Sequence, residues 1–264
     1  MTGPPARRRK AVTHLTAKIR TVPEFAAGMR LNRYIARSGT AARRQCDQGI
    51  QEGMVTVNGT LVTSPAYRVK TGDLILWDGE AVTLPRPFLA AMNKPAGYET
   101  TMEKDSRRSV AQLAGDMPGG AAPVGRLDLK TGGLLLWSND GELIYRLSHP
   151  KWKVEREYMI VTGRPVVPDD LKRLRKGGFI EQGVYSKPLQ VKQAGASRIS
   201  VVLVSGRNRE VRRLATVSRI PLIGLERIRY GSIGITGIAR GAWRELTEEE
   251  SRGLYRLVGL EAGH

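Results

Sequence analysis

The chain has 264 residues, 41% of them hydrophobic, enough to bury one large core or two modest ones. Lys and Arg number 43 against 25 Asp and Glu, a formal charge of +18 whose long-range field suits a polyanionic partner without separating RNA from DNA or an acidic membrane. A single cysteine, Cys46, excludes an intrachain disulfide and a paired-cysteine zinc site, and the only histidines, His14, His149 and His264, argue against a His-centred metal site or a Ser-His-Asp triad. Apolar runs such as Gly133-Leu134-Leu135-Leu136-Trp137 are too short to span a bilayer. Arg7-Arg8-Arg9-Lys10 leads into no apolar stretch of a secretory signal, so a cytoplasmic location without a membrane partner is expected. Only Glu24 is acidic before Arg30, which leaves an organelle transit peptide open.

In chain order, residues 1–28 carry Gly3-Pro4-Pro5, the Arg/Lys run and little apolar periodicity, and read as a flexible basic arm. From Met29, Leu31, Tyr34 and Ile35 recur at helical spacing with Arg30, Arg33 and Arg37 on a neighbouring face, and Gly39 ends the helix. A second helix opens at Arg43-Arg44, carries Ala42, Cys46 and Ile50 on one side and stops at Gly53. Val55 and Val57 alternate with polar residues before the hairpin signal Asn58-Gly59, and a strand over Leu74–Trp77 ends at Asp78-Gly79. Two short helices and a small sheet make a unit over 29–84, about 50–60 residues long and near the lower limit for independent folding.

The string Glu52-Gly53-Met54-Val55-Thr56-Val57-Asn58-Gly59, with Arg43-Arg44 before it and Lys70-Thr71-Gly72-Asp73 after it, resembles the alpha-L RNA-binding module first known from a small-subunit ribosomal protein. That resemblance implies an RNA-contacting face made by Arg30, Arg33, Arg37, Arg43, Arg44 and Lys70. Ala42 departs from the family, which often has Ser before the paired arginines.

Pro85 and Pro87 resist both helix and central strand and mark a linker. Beyond it, over 88–260, strand-like runs (Val154–Val161, Ile199–Val204, Leu222–Ile228) alternate irregularly with helical stretches. The pattern predicts an α+β domain with a mixed, mainly antiparallel sheet. Gly231, Gly234, Gly237 and Gly241 lack the spacing of a nucleotide loop and read as strand or bulge.

Val124-Gly125-Arg126-Leu127-Asp128 runs through Leu129-Lys130-Thr131-Gly132 into an apolar strand, which puts a carboxylate in a loop at the edge of a rigid sheet. Such an Asp either does chemistry or caps a turn through the Thr131-Gly132 backbone, and the residues alone leave both readings open. Gly125-Arg126-Leu127-Asp128 with Thr131, Gly133-Leu134-Leu135 and Asn139-Asp140-Gly141 resembles the signature of bacterial ribosomal RNA pseudouridine synthases. So do Asn93-Lys94-Pro95-Ala96-Gly97-Tyr98, Glu155-Arg156-Glu157-Tyr158, the arginine-rich Gly206–Arg213 and Leu225–Gly231. Glu210 stands where many members have Gln. Asn-Arg-Glu-Val-Arg-Arg with Arg-Tyr-Gly after it is closest to the large-subunit branch, small-subunit RNA being the alternative substrate.

The resemblance implies that Asp128 is the catalytic carboxylate, Tyr158 the ring that stacks on the target base, Arg212 the cation paired with the Asp, and Leu225 an apolar floor. Arg126 would fill the gap left by an everted uridine. Arg207, Arg209, Arg213 and Arg227 would contact phosphate. Ordinary readings stand beside these: Tyr158 as a strand core residue, Arg212 as a surface helix charge, Leu225 as core. The reaction moves the uracil from an N1 to a C5 glycosidic bond. Positive character builds at the sugar, which a carboxylate stabilises or traps. No redox change or group transfer occurs, so no cofactor and no metal are expected, and a monomer is the default. An assembly factor without catalysis, a methyltransferase and a DNA-binding protein are the competing classes. The first predicts loss of Asp128, Tyr158 or Arg212, the second needs a glycine-rich donor loop, and the third leaves the motifs unexplained.

Overall fold

A computed structural model of the protein describes residues 21–23, 26–103 and 108–260. The basic arm expected over residues 1–28 therefore lies mostly outside the described residues. The chain divides into two compact units, Met1–Tyr34 with Arg43–Leu84 and Ile35–Ala42 with Pro85–His264.

The N-terminal region holds helices α1 (Leu31–Ser38) and α2 (Arg43–Gln51) and a four-stranded antiparallel sheet, β1 (Val55–Val57), β2 (Thr60–Leu61), β3 (Ile75–Trp77) and β4 (Glu80–Ala81), in the order β2-β1-β3-β4. Leu31, Tyr34, Cys46, Ile50, Val55, Val57 and Ile75 are buried, following the periodicities of the sequence. Asn58 and Gly59 both take positive φ (51° and 80°), the backbone a tight hairpin with twisted strands requires. Asp73 ties the turn to the next strand by accepting from Asn58 Nδ2 and from the Lys70 amide.

The larger unit runs β5 (Leu89–Lys94), α3 (Val110–Ala114), β6 (Ala122–Pro123), β7 (Gly132–Ser138), α4 (Gly141–Ser148), a 3₁₀ turn (Pro150–Trp152), β8 (Arg156–Thr162), α5 (Pro168–Lys176), β9 (Gly178–Glu181), β10 (Val184–Ser186), β11 (Gln190–Gly195), β12 (Arg198–Leu203), α6 (Glu210–Val217), β13 (Leu222–Tyr230), β14 (Ile233–Gly234), β15 (Trp243–Glu245) and α7 (Glu248–Leu257). Nine strands form one sheet, in the main order β11-β12-β8-β13-β7-β5-β15, with β14 on β13 and β6 on β7. Its pairings are antiparallel except β13 with β7, where only Glu226↔Gly132 and Arg227↔Gly133 pair. Two antiparallel halves thus meet along a short parallel seam.

Every residue of β7 is buried, as a near-continuous apolar strand covered on both faces must be. Period-2 geometry sends Leu134 and Leu136 into one core with Leu143, Leu147, Tyr230 and Leu254, and Leu135 and Trp137 into another with Met92, Val110 and Leu127. A third core joins α5 and α6 to the β8 half through Leu174, Leu214, Ile199, Val201 and Leu225. Asn139 and Asp140 have structural tasks: Asn139 Oδ1 accepts from the Phe88 amide, and Asp140 caps α4 by accepting from the Glu142 and Leu143 amides. No described helix is long and apolar enough to cross a membrane.

Gly133 makes the seam. Its φ is 101°, and a Cβ there would sit 2.3 Å from the Arg227 carbonyl oxygen. Gly133→Ala is expected to lower stability by about 2–4 kcal/mol, from backbone strain plus a main-chain clash that no rotamer relieves. A shift of the urea midpoint at unchanged slope would read this out; an unchanged midpoint would refute it.

Candidate active site

Asp128 sits between β6 and β7 on a loop whose main chain is tied at almost every step. Thr100 Oγ1 donates to the Leu127 carbonyl at 2.8 Å and accepts the Leu127 amide at 3.1 Å. The Gly97 amide donates to Leu129 O, and the Thr131 amide closes a turn on Asp128 O. Leu127 anchors the loop in the core beneath. Among the described residues, the Asp128 carboxylate itself accepts no hydrogen bond and has no cation within ion-pair distance. The turn is thus closed by the main-chain carbonyl of Asp128 rather than its side chain, and the carboxylate is held in place yet chemically uncommitted.

It faces a cavity of about 680 Å³ in the larger unit, lined among others by Arg126, Asp128, Tyr158, Arg207, Arg209 and Leu225. These residues come from four separated stretches of sequence, brought together because β8 and β13 are neighbours. Tyr158 pairs with Arg227 across that ladder, and Leu225 with Ile160. Tyr158 is half-buried and packs against the cores on both sides of the seam, so one face of the ring is fixed. Arg126 and Arg209 are exposed. Arg209 holds φ 51° at the N-terminus of α6, a left-handed backbone uncommon outside glycine.

Three expected residues stand differently. Arg212 does not pair directly with Asp128: its Nη2 donates to Lys130 O at 2.6 Å and reaches Thr131 Oγ1 at 3.3 Å, so it clamps the Asp128 loop two residues on. Its Nε is buried without a partner among the described residues, and burial followed by the nearby Arg209 pushes its pKa below the ordinary range, with Asp128 opposing. Arg213 is away from the cavity lining and forms an ion pair with Glu181. Arg227, expected among the phosphate contacts, is 2% exposed. Its Nε donates to Leu134 O at 2.7 Å and its guanidinium lies 4.7 Å from the centre of the Tyr230 ring, so it forms part of the cavity floor. In the N-terminal module Arg30, Arg43, Arg44 and Lys70 are exposed and Arg33 and Arg37 partly buried.

Three contributors were missed by sequence reasoning. Lys94 is fully buried, with Nζ donating to Tyr98 O at 2.7 Å and Pro95 O at 3.1 Å. Burial brings its pKa down to about 8 against the pull of Asp128, which it feels electrostatically. Arg156 is 3% exposed and donates to Leu147 O, Ser148 O, Val204 O, Ser205 O and Tyr230 Oη, tying the C-terminal end of α4 to the loop after β12 at the cavity wall. Glu210, also buried, accepts from Ser186 Oγ, Ser205 Oγ and the Arg207 amide. Isolated polar residues within otherwise ordinary strands and caps carry no periodic signal that singles them out. No three His, Cys, Asp or Glu side chains among the described residues cluster as a metal site requires.

The lowered pKa of Lys94 has a signed consequence. Between about pH 8 and its unfolded value near 10.5 the native side chain is neutral while the unfolded one still binds a proton. Stability therefore rises with pH across that window, by up to about 3 kcal/mol. Urea titrations at pH 7.5 and 10 should show this rise in wild type relative to Lys94→Met, and parallel curves would refute it.

The sequence matches the family described as RNA pseudouridylate synthase over residues 89–216 and the S4 domain over 29–75. An Aquifex aeolicus protein called "Uncharacterized RNA pseudouridine synthase" is 36% identical over 237 residues, 87% of this chain and 98% of that one. The chain belongs to the RNA pseudouridine synthases. Other members include "Ribosomal large subunit pseudouridine synthase B" of Bacillus subtilis, 35% identical over 87% of this chain and 96% of its own, and the "Dual-specificity RNA pseudouridine synthase RluF" of Escherichia coli K12, 31% identical over 88% and 80%. A solved pseudouridylate synthase superposes with a TM-score of 0.61 at 25% identity, covering 87% of this chain and 99% of that one. The cavity is thus that of an RNA-modifying isomerase joined to an S4 RNA-binding domain, in the α+β arrangement read from the sequence.

Proposed function

We propose that this synthase isomerises a uridine of ribosomal RNA, large-subunit RNA first, with Asp128 as its catalytic carboxylate. The observation that carries the reading is a carboxylate without hydrogen-bond partners among the described residues, on a loop held through the main chain of Leu127, Asp128, Leu129 and Thr131 and facing a cavity lined by an aromatic ring. A group so placed meets the sugar or base without first breaking a bond of its own, and its scaffold has little freedom to lose. Five of the lining residues are arginines, Arg126, Arg156, Arg207, Arg209 and Arg227, which favours entry of a polyanion. The everted uracil lies against Tyr158 above Leu225, Arg126 takes its place in the RNA stack, and Arg207 and Arg209 hold flanking phosphates.

Chemically, the N1–C1′ bond breaks with its electron pair going to the uracil, while the Asp128 carboxylate stabilises or traps the positive character at the sugar. The uracil turns, C5 bonds to C1′, C5 gives up its hydrogen as a proton and N1, which kept the electron pair of the broken bond, takes a proton up, so atoms and electrons balance within one nucleotide. Lys94, charged below about pH 8, and Arg212 hold positive charge near the carboxylate, and Arg212 steadies its loop through Lys130 and Thr131. Exposed Arg30, Arg43, Arg44 and Lys70, together with Arg33 and Arg37, serve as the RNA face of the S4 module, and the synthase acts as a monomer without cofactor. The large-subunit name of the Bacillus relative supports the choice of RNA.

The test is tritium release from C5-labelled transcripts of large- and small-subunit ribosomal RNA, run separately. Release from the large-subunit transcript alone is expected. Release only from the small-subunit transcript would overturn the substrate assignment, and release from neither would overturn ribosomal RNA as substrate.

A further inference from the structure

Outside the cavity, β9 and β10 form a separate two-stranded hairpin. Phe179 and Tyr185 are direct cross-strand partners on it, so their side chains share one face. Their rings stand 5.2 Å apart at 78°, yet Phe179 is 66% and Tyr185 44% exposed. A cross-strand aromatic pair stabilises a hairpin, but that role alone does not account for a phenylalanine left this open to water. Nor is the pair loose. Tyr185 Oη donates to Lys176 O at 2.6 Å, which fixes its ring before anything binds.

The hairpin is bolted to the rim of the active site. Arg207 lines the cavity and donates through Nη1 to Tyr185 O at 2.7 Å. Ser186 Oγ donates to Glu210, which also holds the Arg207 amide, and Arg213 of α6 pairs with Glu181 of β9. The guanidinium that opens onto the cavity therefore touches the strand carrying the aromatic pair. Exposed Lys176 and Lys187 both lie at the open end of the hairpin, just before β9 and just after β10, on the side where Phe179 and Tyr185 pair, while the turn end carries Glu181.

From this we infer that the Phe179–Tyr185 face is a stacking platform for an unpaired base of the substrate RNA, a few nucleotides from the target uridine. Single-stranded RNA supplies both components the surface offers to meet: a π-face for rigid aromatic rings and phosphates for the lysines at the hairpin's open end. A duplex buries its base faces and cannot use the rings. The platform acts in docking, leaving the chemical step to the cavity.

The test measures binding of a fluorescent, unstructured oligouridylate and of an RNA duplex of equal length, using full-length wild type, Phe179→Leu and Tyr185→Leu. Leucine keeps apolar volume on the hairpin while removing the flat face, and melting curves confirm that each variant is folded. For Phe179→Leu, affinity for the single strand should fall about tenfold with duplex affinity unchanged. In the tritium assay, the loss should appear in KM with kcat retained. Unchanged single-strand affinity would overturn the platform. An equal loss for strand and duplex would also overturn it, because charge and not stacking would then be at work. A wild type that dimerises at assay concentration and becomes monomeric in Phe179→Leu would assign the face to a second copy instead. Activity on ribosomal RNA does not enter the binding comparison, so failure of the substrate assignment and failure of the platform are told apart.

Discussion

Asp128→Asn is expected to lose at least about 10³-fold in tritium release while its melting temperature stays within about 2 °C of wild type. The two halves of this expectation have separate grounds. Loss of activity follows, on the proposed role, from removing the carboxylate charge that would stabilise or trap the positive character at the sugar. Retained stability follows from the carboxylate's lack of hydrogen bonds and ion pairs among the described residues, together with the main-chain bonds that hold its loop without it. Equal activity of the variant would remove Asp128 from the mechanism. Inactivity with a large fall in stability would mean that the side chain holds the loop, and the catalytic reading would lose its support.

The largest effect on stability is expected at Arg156. Arg156→Met removes five hydrogen bonds made by a nearly inaccessible guanidinium, to four main-chain carbonyls and the Tyr230 hydroxyl, and its stacking 5.0 Å from the Tyr230 ring centre. Relief of the buried charge offsets part of this, leaving a loss of about 3–5 kcal/mol, or about 10 °C in melting temperature. Arg156→Lys should recover only a minor fraction, since an ammonium cannot span carbonyls from the end of α4 and from the loop after β12 as the planar fork does. Calorimetry of the three proteins checks this; a loss below about 1 kcal/mol in Arg156→Met would refute it.

Much of the fold was legible because its signals are local or periodic. Asn58-Gly59 can close a tight hairpin, β7 reads as a buried strand, and Leu31, Tyr34 and Ile35 lie one helical turn apart. The catalytic loop was legible through resemblance, since its residues alone left a turn cap open for Asp128. What stayed hidden depends on register. Arg227 and Tyr158 are partners across β13 and β8, and nothing in either local string reveals that Arg227 ends beneath the cavity while Arg209 stays at its rim. The direct Arg212–Asp128 contact was expected for the same reason. Motif adjacency implies nearness, whereas the hydrogen bond goes to the neighbouring main chain.

The short seam between β7 and β13 also bears on how the enzyme comes into being. β11, β12 and β8 pair with near neighbours in sequence, whereas the two parallel rungs join Gly133 with Arg227 and the edge pairing of β5 with β15 reaches further still, from Met92 to Trp243. Closing so long a loop costs entropy before the contact repays it, so this step belongs late in refolding. Asp128 lies just before one strand of the seam and Leu225 on the other. The two sides of the cavity therefore come together only through a long-range closure, and a refolding chain is expected to regain much of its local secondary structure before it regains turnover.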